Sequence, residues 1–221
     1  MNSFTGHWSI RDTSKQASLL HPSVNSGIKR SIDCLGALAG LSITAILLVP
    51  LAIAIRLDSP GPIFFQQTRC GLHGRRFKLW KFRSMVVNAA ELKGVVDNQA
   101  QGYFFKNAAD PRVTRVGRFL RRTSLDEFPQ FWNVLMGDMS LVGTRPPTLD
   151  EVAHYTPHHW RRLDVKPGLT GLWQVNGRST VLDFEAVVNM DLRYQHRWSI
   201  GRDLALIVQT IWVVLSRQGA C

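Results

Sequence analysis

The residues best equipped for chemistry lie between Asp110 and Glu127, where a run of arginines leads directly into two adjacent carboxylates, Asp126 and Glu127. Val113, Val116 and Leu120 recur at i, i+3 and i+7, and Arg115, Arg118 and Arg122 repeat that spacing two residues on. Two residues are about 200° of helix, so an apolar stripe and a cationic stripe face opposite ways. Cations on one helix face repel one another unless something anionic sits among them. Arg121 and Arg122 lie five and four residues of chain before Asp126. An ionised Asp can act as a nucleophile, but attack on a diphosphate sets anion against anion. Such an attack needs a divalent cation and arginines to absorb charge on the phosphoryl group. Adjacent helical residues point about 100° apart, so Asp126 and Glu127 take different roles: one attacks while the other holds a metal or moves a proton. A purely structural reading competes. Ser124-Leu-Asp-Glu127 fits the S-x-x-E capping box, and Phe128, Phe131, Trp132, Leu135 and Met136 continue at helical spacing.

Behind this site stands the loudest signal in the chain. Cys34 to Ile55 are 22 residues without a charge, enough for a helix to cross the roughly 30 Å hydrocarbon layer. Pro50 lies inside the run, removes a backbone hydrogen bond there and is expected to bend or break the helix. Lys29 and Arg30 precede the run; Arg56, Arg69, Arg75, Arg76 and Lys78 follow it. Short basic flanks mark the cytoplasmic side, and here both ends carry them. A re-entrant helix that returns to the same face satisfies both flanks better than a straight span. A cleavable leader is a weaker alternative: Ala52-Ile53-Ala54 resembles a cleavage site, yet the run exceeds the usual ~7–15 residues of a signal core.

The remaining elements read as one domain. Residues 1–27 lack hydrophobic period and are expected to form a flexible tail. Ile63–Gln67 and Phe77–Phe82 read as strands joined through Gly71-Leu-His-Gly74. Helical patterns are expected near 84–94, 112–122, 124–136, 148–163 and 183–197. Leu204 to Leu215 is too short to span; it suits an interfacial helix with Trp212 at head-group level, or equally a core helix. The formal charge of +11 implies anionic partners: nucleic acid, anionic lipid or phosphorylated substrates. Cys34, Cys70 and Cys221 form neither a disulfide framework nor a zinc pattern.

With these residues assembled, the chain resembles the bacterial sugar transferase family, small monotopic phosphoglycosyl transferases that act on polyprenyl phosphate. The likeness runs from Lys29 to Leu215 through Lys29-Arg-Ser-Ile-Asp33, Ser59-Pro-Gly-Pro-Ile-Phe-Phe65, Phe77-Lys-Leu-Trp-Lys-Phe-Arg-Ser-Met85, Asp110-Pro-Arg-Val-Thr-Arg-Val-Gly117 and Leu120-Arg-Arg-Thr-Ser-Leu-Asp-Glu127. Pro129-Gln130, Asn133-Val134, Gly137-Asp-Met-Ser-Leu-Val-Gly143, Arg145-Pro146 and Lys166 to Arg178 complete the ordered series. The resemblance implies an α+β, mostly α, monotopic membrane enzyme. Its expected parts are a tail over 1–27, a Pro-kinked re-entrant helix over 28–56, and a catalytic domain with interfacial helices over 57–221. It implies Asp126 as nucleophile and Glu127 as its dyad partner, with Mg²⁺ at Asp126 and phosphate held by Arg121 and Arg145, Arg122 lying beside them. The implied substrates are a UDP-sugar, of glucose or galactose, and undecaprenyl phosphate, with UMP released and an exopolysaccharide or O-antigen-type glycan begun. The implied site faces the cytoplasm at the bacterial inner membrane, among anionic lipids, without nucleic acid, and is compatible with a homo-oligomer.

One departure stands out: Thr144 replaces the first proline of the family's Gly-Pro-Arg-Pro, so the loop loses one φ restraint. Trp173, Gln174, Asn176 and Arg178 can stack on or bond to nucleotide and sugar; equally, Trp173 can be core and Asn176-Gly177 a plain turn. Lys81 and Arg83 either guide phosphates or anchor anionic lipid. Asp138 reads as a turn residue, and His154, His158 and His159 as surface residues.

Overall fold

A computed structural model describes residues 20–177 and 181–216. The chain enters through a short helix, α1 (Pro22–Asn25), and Ser26 then caps α2 (Gly27–Asp58) by accepting a hydrogen bond from the Lys29 amide. Residues 1–19 of the expected tail lie outside the described residues; in the part that is described, Ser23 is buried and His21 Nε2 donates to the Gln195 carbonyl. α2 is a single 32-residue element that contains Pro50. It is long and apolar enough to cross a membrane, and only 17% of its most apolar window is buried against the rest of the protein.

Both ends of α2 are tied to the same globular body. Near its start, Lys29 Nζ lies 2.6 Å from Asp203 Oδ2, and Asp33 Oδ1 accepts from the Ser140 hydroxyl and the Leu141 amide, each at 2.9 Å. Tyr194 and Trp198 also donate to Asp203, so this buried carboxylate is fully engaged. At the far end, Leu51 and Ile55 pack with Phe82 and Leu120 in one apolar cluster.

The hairpin forms as expected: β1 (Phe64–Cys70) and β2 (Arg76–Phe82) are antiparallel, with Phe64 opposite Phe82 and Cys70 opposite Arg76. The helix expected over 84–94 is absent; that segment is a chain of turns ending in the 3₁₀ turn Glu91–Val95. α3 (Arg115–Arg122) is capped by Thr114 and shows the two stripes, with Leu120 buried and Arg115, Arg118 and Arg122 exposed. Gly117 brings α3 against the Ser84 carbonyl, a contact that leaves no room for a side chain.

α4 (Gln130–Met136) leads into β3 (Ser140–Val142), which pairs in parallel with β4 (Gly168–Thr170). The helix expected over 148–163 divides into α5 (Leu149–Val152), α6 (Pro157–Trp160) and a 3₁₀ turn over Arg161–Asp164. The division comes where Pro157, which lacks an N–H, follows Thr156, whose box with His159 opens a new helix. His159 is therefore not a surface residue: it is 5% exposed, accepts from the Thr156 amide and lies 2.8 Å from Glu185. α7 (Leu172–Val175), α8 (Phe184–His196) and α9 (Ile200–Ser216) complete the fold. α9 buries Asp203 and Leu206 and exposes Leu204, Val208, Ile211, Trp212 and Leu215, which excludes the core-helix alternative. The main core joins Ala37 of α2, Phe77 and Leu79 of the hairpin, Val134 of α4, Val142 of β3 and Leu206 of α9.

Candidate active site

After α3 the chain reverses through Ser124, which adopts a left-handed φ of 57°, and Leu125–Glu127 form a 3₁₀ turn. Ser124 makes no side-chain cap bond and the next helix begins only at Gln130, so the expected capping box over 124–127 does not form. A left-handed Ser cannot hold the extended backbone that an N-cap requires. Leu125 and Phe128 instead anchor the turn against Leu120, and Asp126 is turned inward at 3% exposure. Its Oδ1 is buried without a hydrogen-bond partner. Leaving such an atom unsatisfied costs about 1–3 kcal/mol unless water, an ion or a ligand meets it.

Lys81 of β2 faces this turn. Its Nζ lies 2.9 Å from Glu127 Oε1 and 3.8 Å from Asp126 Oδ2, so one cation holds both carboxylates. The reach is set by Asn133 of α4, which accepts from the Trp80 amide at 3.1 Å and donates to the Lys78 carbonyl at 2.8 Å. That clamp locks the strand bearing Lys81 to the helix that follows the dyad.

The expected arginines make separate contacts. Arg121 donates from Nε to the Ser84 hydroxyl at 3.0 Å. Close by, Arg112 grips both oxygens of Asp110, and these hydrogen bonds hold the Asp110 carboxyl below the usual carboxylate range. Arg145 forms a bidentate pair with Glu151, at 2.6 and 3.1 Å, and lies over the rings of Phe104 and Trp173. Burial opposes both charges of this pair, yet their mutual attraction outweighs it: Arg145 is raised and Glu151 lowered from their ordinary pKa values. Thr144, in place of the family's proline, is fully buried and donates to the Arg162 carbonyl at 3.1 Å. A hydrogen bond thus replaces the missing ring restraint.

Beside the dyad opens an apolar cavity of about 710 Å³ between α2 and α9, with Gly40 and Ile207 among its walls. Arg122, Glu127, Gln174 and Asn176 reach the same cavity. The expected nucleotide and sugar group is therefore split. Trp173 leaves the others to pack with Phe104 and Phe184, and Arg178 lies outside the described residues. Arg83 does not join the site: it donates to the carbonyls of Ile55 (3.2 Å), Ser59 (2.6 Å) and Pro60 (2.7 Å), closing the end of α2. The Ile55 carbonyl also accepts from the Ser59 amide at 3.2 Å, whereas the Ser59 and Pro60 carbonyls lie past the last helical residue, where a buried cation can satisfy them.

Sequence reasoning missed Arg69, Glu151, and the fully buried Arg162–Asp191 pair with Tyr155 on Arg162 Nη1. Only Glu151 carried a local signal, since Thr148-Leu-Asp-Glu151 has the T-x-x-E spacing, and Thr148 does accept from the Glu151 amide. Among the described residues no group of three or more His, Cys, Asp or Glu could hold a metal ion.

Comparison with known proteins identifies the family. The family described as bacterial sugar transferase matches residues 24–217. The galactosyl transferase CpsE of Streptococcus agalactiae is 50% identical over 87% of this chain and 43% of its own length. The UDP-glucose:undecaprenyl-phosphate glucose-1-phosphate transferase of Escherichia coli is 42% identical over 86% of this chain and 40% of its own. The uncharacterized sugar transferase EpsL of Bacillus subtilis is 36% identical over 87% and 89%. The chain thus spans less than half the length of the first two relatives and nearly all of the third. The chain belongs to the bacterial sugar transferase family.

Proposed function

We propose that the protein transfers a sugar 1-phosphate, of glucose or galactose, from a UDP-sugar to undecaprenyl phosphate through a covalent intermediate on Asp126. The observation that carries this reading is the buried Asp126 carboxylate, with one oxygen free of any partner, beside Lys81 and a lipid-sized apolar cavity. The relatives named above as acting on UDP-glucose and undecaprenyl phosphate, and as a galactosyl transferase, supply the substrate class.

In the first step an Asp126 oxygen attacks the sugar-bearing phosphorus. The phosphorus–oxygen bond to the other phosphate breaks, and UMP leaves with that electron pair. In the second step an oxygen of the lipid phosphate attacks the same phosphorus and Asp126 departs as carboxylate. Burial leaves Asp126 little water to shed before attack, and the guanidinium groups of Arg121 and Arg145 would absorb charge on the diphosphate. Lys81 keeps the Glu127 carboxylate at the cavity mouth, where it can orient the lipid phosphate or take its proton. The apolar cavity accepts the isoprenoid chain.

Mg²⁺ fits the donor set. Asp126 Oδ1 is an unsatisfied hard oxygen with Glu127 next to it, and Mg²⁺ commonly takes one or two carboxylates and completes its shell with water and substrate phosphates. When bound, the ion would neutralise diphosphate charge.

α2 is read as re-entrant at the cytoplasmic face of the bacterial inner membrane. Its 32 residues would reach about 48 Å if straight, yet both ends attach to one body through Lys29–Asp203 and Arg83–Ser59. A return at Pro50 reconciles the two, and α9 would lie along anionic lipid with Trp212 at the head groups.

The test is incubation of purified protein with Mg²⁺ and UDP-sugar alone, followed by denaturation and mass measurement of the peptide bearing residue 126. A sugar-phosphate adduct is expected in the wild type and none in Asp126→Asn, which should insert into membranes normally. Turnover retained by Asp126→Asn with both substrates sinks the proposal.

A further inference from the structure

We infer that Arg69 is a further phosphate-binding residue of this site, gripping the donor diphosphate together with Arg145; the inference rests on the reading proposed above. Arg69 lies near the end of β1, where the chain is sewn to the Arg145–Thr148 loop. The Cys70 amide donates to the Pro147 carbonyl at 3.0 Å, and Arg69 itself forms an antiparallel bridge with Thr148. The guanidinium follows the backbone: Nη1 donates to the Pro146 carbonyl at 2.8 Å, one residue from Arg145. Nε and Nη2 both donate to Gln67 Oε1, at 3.1 and 2.7 Å.

All these acceptors are neutral. Among the described residues no carboxylate lies within ion-pairing distance of Arg69, whereas Arg112, Arg145 and Arg162 each sit on one. The Gln67 amide therefore fixes the orientation of the guanidinium without cancelling its charge. One N–H of each terminal nitrogen stays unengaged, the form in which Arg grips phosphate oxygens. Arg145 has already committed two nitrogens to Glu151. Burial, and then the charge of Arg145, push the Arg69 pKa down to about 10, so the empty site holds its cations at a cost that an incoming anion relieves. Glu127 acts on Arg69 electrostatically as well, which places this cation within the field of the dyad.

The competing account makes Arg69 a staple between hairpin and loop. The two are separated by measuring UMP, UDP-sugar and uridine binding by calorimetry on the full chain, with the melting temperature of every variant. Arg69→Gln should weaken UMP and UDP-sugar about 10–100-fold, the range of charged hydrogen bonds, and leave uridine within about twofold. Arg69→Lys, which keeps the charge and loses the fork, should recover part of the UMP affinity. Equal losses for uridine and UMP, or an unchanged UMP affinity in Arg69→Gln, overturn the inference. Should Arg69→Gln fail to fold, Arg69→Lys decides: UMP affinity lost in step with uridine affinity overturns it, and selective partial loss supports it. A wild type that turns over while Arg69→Gln binds normally defeats only this inference; a wild type that never releases UMP defeats the proposed function.

Discussion

Replacing Glu151 by Gln removes one charge from the buried Arg145–Glu151 ion pair while keeping its shape. Glu151 is 2% exposed, and it faces Arg145 bidentately, with Arg69 and Arg162 acting on it as well. Breaking a buried pair by removing one charge costs about 3–5 kcal/mol. The Gln carbonyl still accepts one N–H of Arg145, which restores about 1 kcal/mol, so a net loss of about 2–4 kcal/mol is expected at neutral pH. For a domain of this size each kcal/mol moves the melting temperature by about 2–4 °C, giving a drop of roughly 4–16 °C. The assay is thermal unfolding of wild type and Glu151→Gln in matched detergent across pH 3–8. Arg145 holds the Glu151 pKa below its ordinary 4.5, so the charge contributes fully above that value and is lost as pH falls through the lower, folded-state pKa. The gap between the two proteins should therefore close on acidification below pH 4.5. A gap that persists unchanged at the acid end means packing, not charge, carries the effect; no gap at pH 7 refutes the reasoning outright.

Lys81→Met removes the cation shared by the dyad, and a loss of about 10²–10³-fold in kcat is expected, the cost of deleting one preorganised electrostatic contact; steady-state UMP release measures it. Gly40→Leu drives a side chain into the Phe131 ring, which leaves no room for a Cβ. It should destabilise the α2–α4 contact by about 1–3 kcal/mol, read as a lowered melting temperature. Thr144→Val deletes the hydrogen bond to the Arg162 carbonyl and should cost about 1–2 kcal/mol, seen as earlier unfolding in denaturant.

Local pattern made several parts of this protein legible. The uncharged run from Cys34 to Ile55 marks the long apolar helix α2, because length and apolarity, which a sequence window contains, decide whether a helix can reach across hydrocarbon. The β1–β2 hairpin and the two faces of α3 follow from periods of two and 3.6 residues, which any short window contains. The pairing of Asp126 with Glu127 is adjacency itself. The capping box failed for a reason no window reveals: tertiary packing of Leu125 and Phe128 outweighed the local preference of Ser124 for an N-cap.

What only the tertiary structure decided is which cation serves which anion. Lys81 and Arg83 are two residues apart on one chain, yet Lys81 meets the dyad and Arg83 closes the end of α2. Side chains at such spacing look alike in sequence; the strand's course past Asn133 and Ser59 assigns them. Arg69 meets Pro146 across 77 residues of chain, and Lys29 meets Asp203 across 174. Periodicity encodes which face of an element is apolar. It carries no record of distant partners, since ion pairs and hydrogen bonds are selected by where folding brings the backbone and by the expense of leaving a buried charge alone.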